Sequence, residues 1–242
     1  MVVAPECVVI IPDGNRRYAR ERGMPDTWGH QQGATNAERI ANAFYEAGGK
    51  EFIFWTMSER NVAKRLAPEK AGLRMLLKSS MRRRLKKLRD KAQDIEKVAF
   101  HLCGPPEMFE QDLELGELAA ELTQATAQFT DHGLTLLLGY RGATDIMQAS
   151  GIVSRMGLEP HKHEQLVRDH MWISHLNRTN SGLIIRTAVR GDKRNSDSLL
   201  PIHGEYAQVR DVEEYWPAFS VAQLYSLFAE IEPLSKELRK GA

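Results

Sequence analysis

The chain has 242 residues, with 33 Lys and Arg against 32 Asp and Glu, a formal charge of +1 and 42% hydrophobic residues. Balanced charge excludes the global basic field of a nucleic-acid binder, and no apolar run is long enough to span a bilayer. The length suffices for a full core, and no Pro-, Gly- or Ser-rich linker interrupts it, so a single domain over 1–242 is expected. Cys7 and Cys103 lie far apart without metal-ligand spacing and read as buried or free thiols in a reducing cytoplasm. The N-terminus lacks a basic segment followed by a long apolar one, so no signal peptide is expected.

In chain order, ECVVIIP (6–12) reads as a short buried strand, a continuous apolar run ended by Pro12 and Gly14. Over 33–47, Ala37, Ile40, Ala41, Phe44 and Ala47 share one helical face, and Gly48-Gly49 stops that helix. EFIFWTMS (51–58), aromatic and β-branched, reads as a second strand. Over 69–94, Leu73, Leu76, Leu77, Met81, Leu85 and Leu88 recur at three- and four-residue steps and predict a long helix. KVAFHLCG (97–104) is a third strand, followed by a turn at Pro105-Pro106 and a helix over 107–130. LTLLLGY (134–140) is a fourth strand, helices follow at 144–156 and 162–177, and SGLIIRT (181–187) is a fifth strand. An amphipathic helix is expected over 220–239. Strands alternating with helices predict an α/β fold with a mainly parallel sheet flanked by helices on both faces.

In such sheets ligands sit beyond the carboxyl ends of the strands. Those ends carry PDGNRR, SERN, GYRG and RTAVRGDKRNS, which would gather Asp13, Arg17, Asn61, Arg186 and Arg194 on one rim. Arginine forks suit phosphate oxygens, and several suit a diphosphate. A carboxylate at a strand tip cannot bind phosphate, but it can hold Mg²⁺, which prefers one or two carboxylates plus substrate phosphates. Gly14 would let the backbone approach the ligand. GxxxxGK[ST], GxGxxG and DDxxD are all missing, which excludes the common nucleotide loops and the aspartate-cluster, all-helical prenyl diphosphate enzymes. Taken alone, Asp13 is equally a helix cap or turn former, and an unrelated phosphate-binding α/β protein would look similar.

PDGNRRYARERGMPDTWGHQQG, SERNVAKRLAPEKAGL and IIRTAVRGDKRNSDSLL followed by YWPAF resemble, in order, the signatures of the cis-prenyltransferase family, which includes undecaprenyl diphosphate synthase. The resemblance runs from about residue 8 to residue 235. It implies a parallel sheet flanked by helices, a homodimer, and Mg²⁺-dependent condensation of an allylic diphosphate with isopentenyl diphosphate. It makes Asp13 the magnesium carboxylate, with Gly14, Asn15, Arg16 and Arg17 lining the allylic diphosphate site. Asn61 belongs near the reacting carbon and His30 beside the leaving diphosphate, with Ser58 and Lys64 among the substrate-binding residues. Arg186, Arg194 and Ser196 match the second diphosphate site. Asp192 stands where the family has a metal-site glutamate at the dimer interface. The 69–94 helix would wall an apolar tunnel starting at Glu69.

The chain departs from that pattern. Asp26 replaces an arginine of the allylic site, which predicts a weakened or reshaped subsite; Val62 replaces a tryptophan; Lys64 replaces an arginine and keeps only its charge. Arg141 and Ala143 stand where glycine and arginine are usual, and two inserted residues bring Arg190 into the last signature. LLPIHGEYAQV resembles the lavandulyl-type branch, which joins two allylic diphosphates. The expectation is a short or irregular prenyl diphosphate from isopentenyl or dimethylallyl diphosphate, with a regular polyprenyl synthase or a catalytically silent subunit as alternatives. RRRLKKLR (82–89) reads first as a solvated basic face, and otherwise as a peripheral contact with an anionic membrane.

Overall fold

The first apolar run sets the architecture. In β1 (Cys7–Ile11), Val8 and Ile10 point into one core, with Phe44, Phe52, Leu183 and Trp216. Cys7 and Val9 point into another, with Ile53, Leu137 and Ile184. A strand buried on both faces must read as a continuous apolar run, which is why CVVII does not alternate. The computed structural model describes residues 2–90, 97–176, 182–191 and 207–231.

β1 pairs in parallel with β2 (Glu51–Ser58) on one side and β5 (Leu183–Arg186) on the other. Beyond β2 lie β4 (Gly133–Tyr140) and then β3 (Ala99–Cys103); beyond β5 lies β6 (Gln208–Asp211). The sheet order is β3-β4-β2-β1-β5-β6, and every pairing is parallel. β6 is a strand the pattern QVRD does not announce. It is short and half-exposed, and edge pairing rather than burial holds it.

Two short helices follow strand ends: α1 (Asn15–Arg20) and α3 (Glu59–Lys64). The helix expected at 33–47 is α2 (Asp26–Glu46), which starts seven residues earlier because its polar first turns pack on α1. There Gly29 is required: a Cβ would lie 2.1 Å from the Asn15 carbonyl oxygen. The long helix is α4 (Ala67–Arg89), begun by a proline in its first turn; residues 91–94 of its expected span lie outside the described residues.

The 107–130 helix breaks into α5 (Pro106–Glu110) and α6 (Leu113–Thr126), because Asp112 caps a new start by accepting from the Leu115 amide. α7 (Gly142–Arg155) agrees with the sequence. The 162–177 helix is only α8 (Glu164–Asp169) with 3₁₀ turns at Pro160–Lys162 and Ser174–Leu176. α9 (Val221–Ala229) opens with a Ser220–Gln223 capping box; 232–239 fall outside the described residues.

The basic run on α4 is tied to acids: Arg82 to Glu114, Arg83 to Glu38, Lys86 to Asp90 and Arg89 to Glu121. That supports the solvated-face reading over a lipid-binding one. Both cysteines are buried free thiols, and burial pushes Cys103 up to about 12. No helix among the described residues is long and apolar enough to cross a membrane.

Candidate active site

The order in which strands are added reverses at β1: β2 follows on one side and β5 is added later on the other. The crevice at that switch point opens beyond the carboxyl ends of β1, β2 and β5. It is a cavity of about 630 Å³ lined by Ile11–Arg17, Ser58, Asn61 and Arg186–Arg190, among others. Asp13, Arg17, Asn61 and Arg186 thus share one wall, as the rim argument requires. Arg194, Ser196 and Asp192 lie outside the described residues.

The loop after β1 is clamped from two sides. The Asp13 carbonyl accepts from the Thr187 hydroxyl at 2.9 Å and from the Trp216 amide at 2.9 Å. The Gly14 amide donates to Asp13 Oδ1 at 2.6 Å. Gly14 has φ 98°, and a Cβ there would lie 2.5 Å from the Tyr215 ring and 2.8 Å from Ala188 Cβ. Only glycine fits both the conformation and the space. The Asp13 side chain stays 66% exposed, open to the cavity, with Oδ2 3.2 Å from Arg17.

Seven arginines line the wall against one carboxylate, Asp13. Arg16 and Arg65 both reach Glu69, at 3.5 and 3.4 Å, and His30 Nε2 lies 3.4 Å from the same carboxylate. Glu69 therefore sits behind the wall as an anchor for three groups; it lines neither this cavity nor the apolar chamber, contrary to its expected place at the tunnel start. Arg186 pairs with Asp211 at 3.1 Å. Arg65 Nη1 is buried without a hydrogen-bond partner among the described residues, a donor suited to an anionic ligand. Burial and the Arg65 charge hold His30 below the usual imidazole range, so it is neutral at pH 7.

Two sequence expectations change. Lys64 is exposed in the last turn of α3 and absent from the wall; Arg65, one residue on, takes the place the resemblance assigned it. Helix α3 ends at Lys64, and the extended backbone of Arg65 turns its side chain inward. Asp26 also does not line the cavity. It binds Arg20 through two bonds, 2.9 and 2.7 Å, and Arg20 does line it. Asp26 thus acts by neutralising and tethering a wall arginine. Ser58 lines the cavity, its hydroxyl accepting from the Asn61 amide at 3.2 Å. Arg60, Thr187 and Tyr215 were missed. The aromatic before Trp-Pro and the threonine after Arg186 were the available signals.

Pro12, Asn15, His30 and Thr56 also line an apolar chamber of about 180 Å³. Its walls are α2 (Ala34, Ala37, Ala41), α4 (Leu73, Leu76, Leu77), the sheet (Phe52, Phe54, Leu136) and Trp216. A neighbouring space of about 150 Å³ shares Glu38, Leu77, Ser80, Leu134 and Leu136 with it. A charged mouth thus leads into an apolar interior, which fits an amphiphile with an anionic head.

One carboxylate beside arginines fits Mg²⁺, which completes its octahedron with phosphate oxygens and water. Among the described residues no three His, Cys, Asp or Glu side chains cluster. Any metal here would therefore rely on the substrate for most of its ligands.

A sequence model of the undecaprenyl diphosphate synthase family matches residues 11–236. An isoprenyl transferase of Agrobacterium fabrum is 30% identical over 241 residues, covering 98% of this chain and 92% of the relative. A tritrans,polycis-undecaprenyl-diphosphate synthase (geranylgeranyl-diphosphate specific) of Archaeoglobus fulgidus is 27% identical, covering 89% and 84%. The structure of lavandulyl diphosphate synthase from Lavandula x intermedia, in complex with dimethylallyl diphosphate, superimposes with a TM-score of 0.81 at 24% identity. It covers 94% of this chain and 95% of the plant chain, and shows a shared fold.

Proposed function

The chain belongs to the cis-prenyltransferase family, whose members condense prenyl diphosphates, and on that premise we propose that it joins an allylic diphosphate to a second C5 diphosphate to give a short or irregular prenyl diphosphate. The second substrate is isopentenyl or dimethylallyl diphosphate. The observation that carries the reading is the arginine-lined cavity, with a single carboxylate, opening directly into an apolar chamber. Arg16 and Arg17 grip the allylic diphosphate, and Arg186 with Arg194 and Ser196 the second one. Asp13 would hold Mg²⁺, which when bound would supply neutralisation of the charge on the departing diphosphate. Neutral His30, on both walls, meets the ester oxygen where head and hydrocarbon join. Asn61, fixed by the Ser58 cap, orients the reacting carbon. The family's homodimer, with Asp192 near its interface, and a cytoplasmic location belong to the same reading.

Chamber size supports a short product. An apolar cavity of about 150 Å³ takes one benzene-sized ligand, so about 180 Å³ holds on the order of seven carbons, or one to two isoprene units. A regular long-chain synthase is the second reading. The neighbouring space that shares five wall residues favours it, as does the undecaprenyl diphosphate synthase activity of the Archaeoglobus fulgidus relative.

The test incubates purified protein with Mg²⁺, dimethylallyl diphosphate and isopentenyl diphosphate, singly and together, and analyses the dephosphorylated product by mass and NMR. A long polyprenyl product requiring both substrates would overturn the short-product reading. No product from the protein alone, restored by an active homologue, would mark a silent subunit.

A further inference from the structure

The wall arginines differ in how they are held. Arg16, Arg17, Arg20, Arg65 and Arg186 each lie against a carboxylate, so part of their charge is spent inside the protein. Arg190 is different. Among the described residues it has no carboxylate partner. Its guanidinium lies over the Tyr215 ring, 4.6 Å from the centroid. Arg17 lies over the same ring at 5.4 Å, so the two guanidiniums are within about 10 Å of each other, the two distances combined. An aromatic face orients a cation without neutralising it, because the quadrupole attracts the charge but supplies no hydrogen-bond acceptor. All five Arg190 donors stay available to a ligand.

Tyr215 is itself fixed. The ring is buried, at 7% exposure, and its hydroxyl bonds the Glu21 carboxylate. The residue before it accepts from the Ala188 amide at 2.7 Å, and the residue after it donates to the Asp13 carbonyl. Ala188 holds the left-handed conformation, φ 59°, which turns the chain after β5 so that Val189 and Arg190 reach the cavity wall. A non-glycine residue held there costs free energy and persists only where its surroundings enforce it.

We propose that Arg190, one of the residues inserted in the last signature, is an additional diphosphate-binding residue of this chain, and that Tyr215 is the positioning residue that holds Arg190 and Arg17 toward one ligand. Together with the Asp26–Arg20 pair, this moves the uncompensated positive charge of the cavity from the α2 side to the β5 side. The inference rests on the proposed diphosphate chemistry of the site.

The experiment measures binding of inorganic pyrophosphate to the full chain in the presence of Mg²⁺ by titration calorimetry. Arg190→Ala weakens binding about tenfold or more, the loss expected for charge-assisted bonds, and raises KM for a prenyl diphosphate more than it lowers kcat. Arg190 is exposed, so the variant folds. Tyr215→Leu weakens pyrophosphate binding more than Tyr215→Phe, which keeps the ring. Unchanged affinity in Arg190→Ala overturns the proposal while leaving the site's function standing. Failure of the unaltered protein to bind pyrophosphate at all overturns the reading of the site itself.

Discussion

Single residues in this site act by where their charge is directed. Asp13 is clamped through its main chain, and its carboxylate is left facing the cavity. Asp13→Ala should therefore leave the melting temperature nearly unchanged and lower turnover by ~10³-fold or more, several kcal/mol of lost metal anchoring. Near-normal rates with Mg²⁺ would show that Asp13 holds no metal. Asp26 is governed by its partner: the Arg20 hydrogen bonds, opposed by partial burial, hold its carboxyl below the usual carboxylate range. Asp26→Asn weakens the tether without adding charge, and Asp26→Arg removes it and adds a cation. Both should lower KM for the allylic diphosphate severalfold, the arginine more. If Asp26→Asn leaves KM untouched, Arg20 is not a ligand for that diphosphate.

At the scale of elements, α2 joins the site to the core. Buried Asn36 donates to the carbonyls of Trp216 and Phe219, at 2.6 and 3.1 Å, and so fastens the 3₁₀ turn at Trp216–Ala218 whose first amide holds Asp13. Asn36→Ala removes its two bonds to these carbonyls, which keep the Phe219 amide and Arg39 as donors, and also removes the acceptor that positions Arg39; it should cost about 1–3 kcal/mol in urea denaturation. A loss under a few tenths would show that water replaces the amide. On the far side of the sheet from the chamber, Glu51 of β2 is pushed up to about 7 by burial, partly offset by the Thr135 hydroxyl donating at 2.7 Å. A carboxyl whose folded value lies above its unfolded one binds protons more readily in the folded state. Its contribution is therefore full below about pH 4.5 and is lost as pH rises toward 7, on the order of 3 kcal/mol in all. Glu51→Gln, which keeps an acceptor for Thr135, should flatten the stability profile between pH 5 and 7. A variant with the parental slope would assign it to another group.

At the scale of the whole molecule, the cavity ties together loops from β1, β2 and β5, so a ligand filling it should stabilise the entire fold. At a hundredfold excess over Kd, pyrophosphate with Mg²⁺ contributes about 2.7 kcal/mol, which raises Tm by roughly 5–10 °C for a chain of this size. No shift at that concentration would mean that pyrophosphate does not bind the folded chain in preference to the unfolded one. The sequence by itself determined the strands β1 to β5, because strands buried on both faces must be continuous apolar runs. It also determined the chemistry of their carboxyl ends, because polar groups there have no core to join. Asp13, Gly14, Asn61 and Arg186 were legible for that reason. Only the tertiary structure decided that Arg65 rather than Lys64 faces the cavity, that Glu69 anchors rather than lines, and that Asp26 cancels Arg20. It alone supplied β6, whose pairing with β5 leaves no periodic trace, and Tyr215, whose ring matters through two arginines remote from it in sequence. Periodicity records burial along one element; the direction of a long charged side chain is set by neighbours that arrive from elsewhere in the chain.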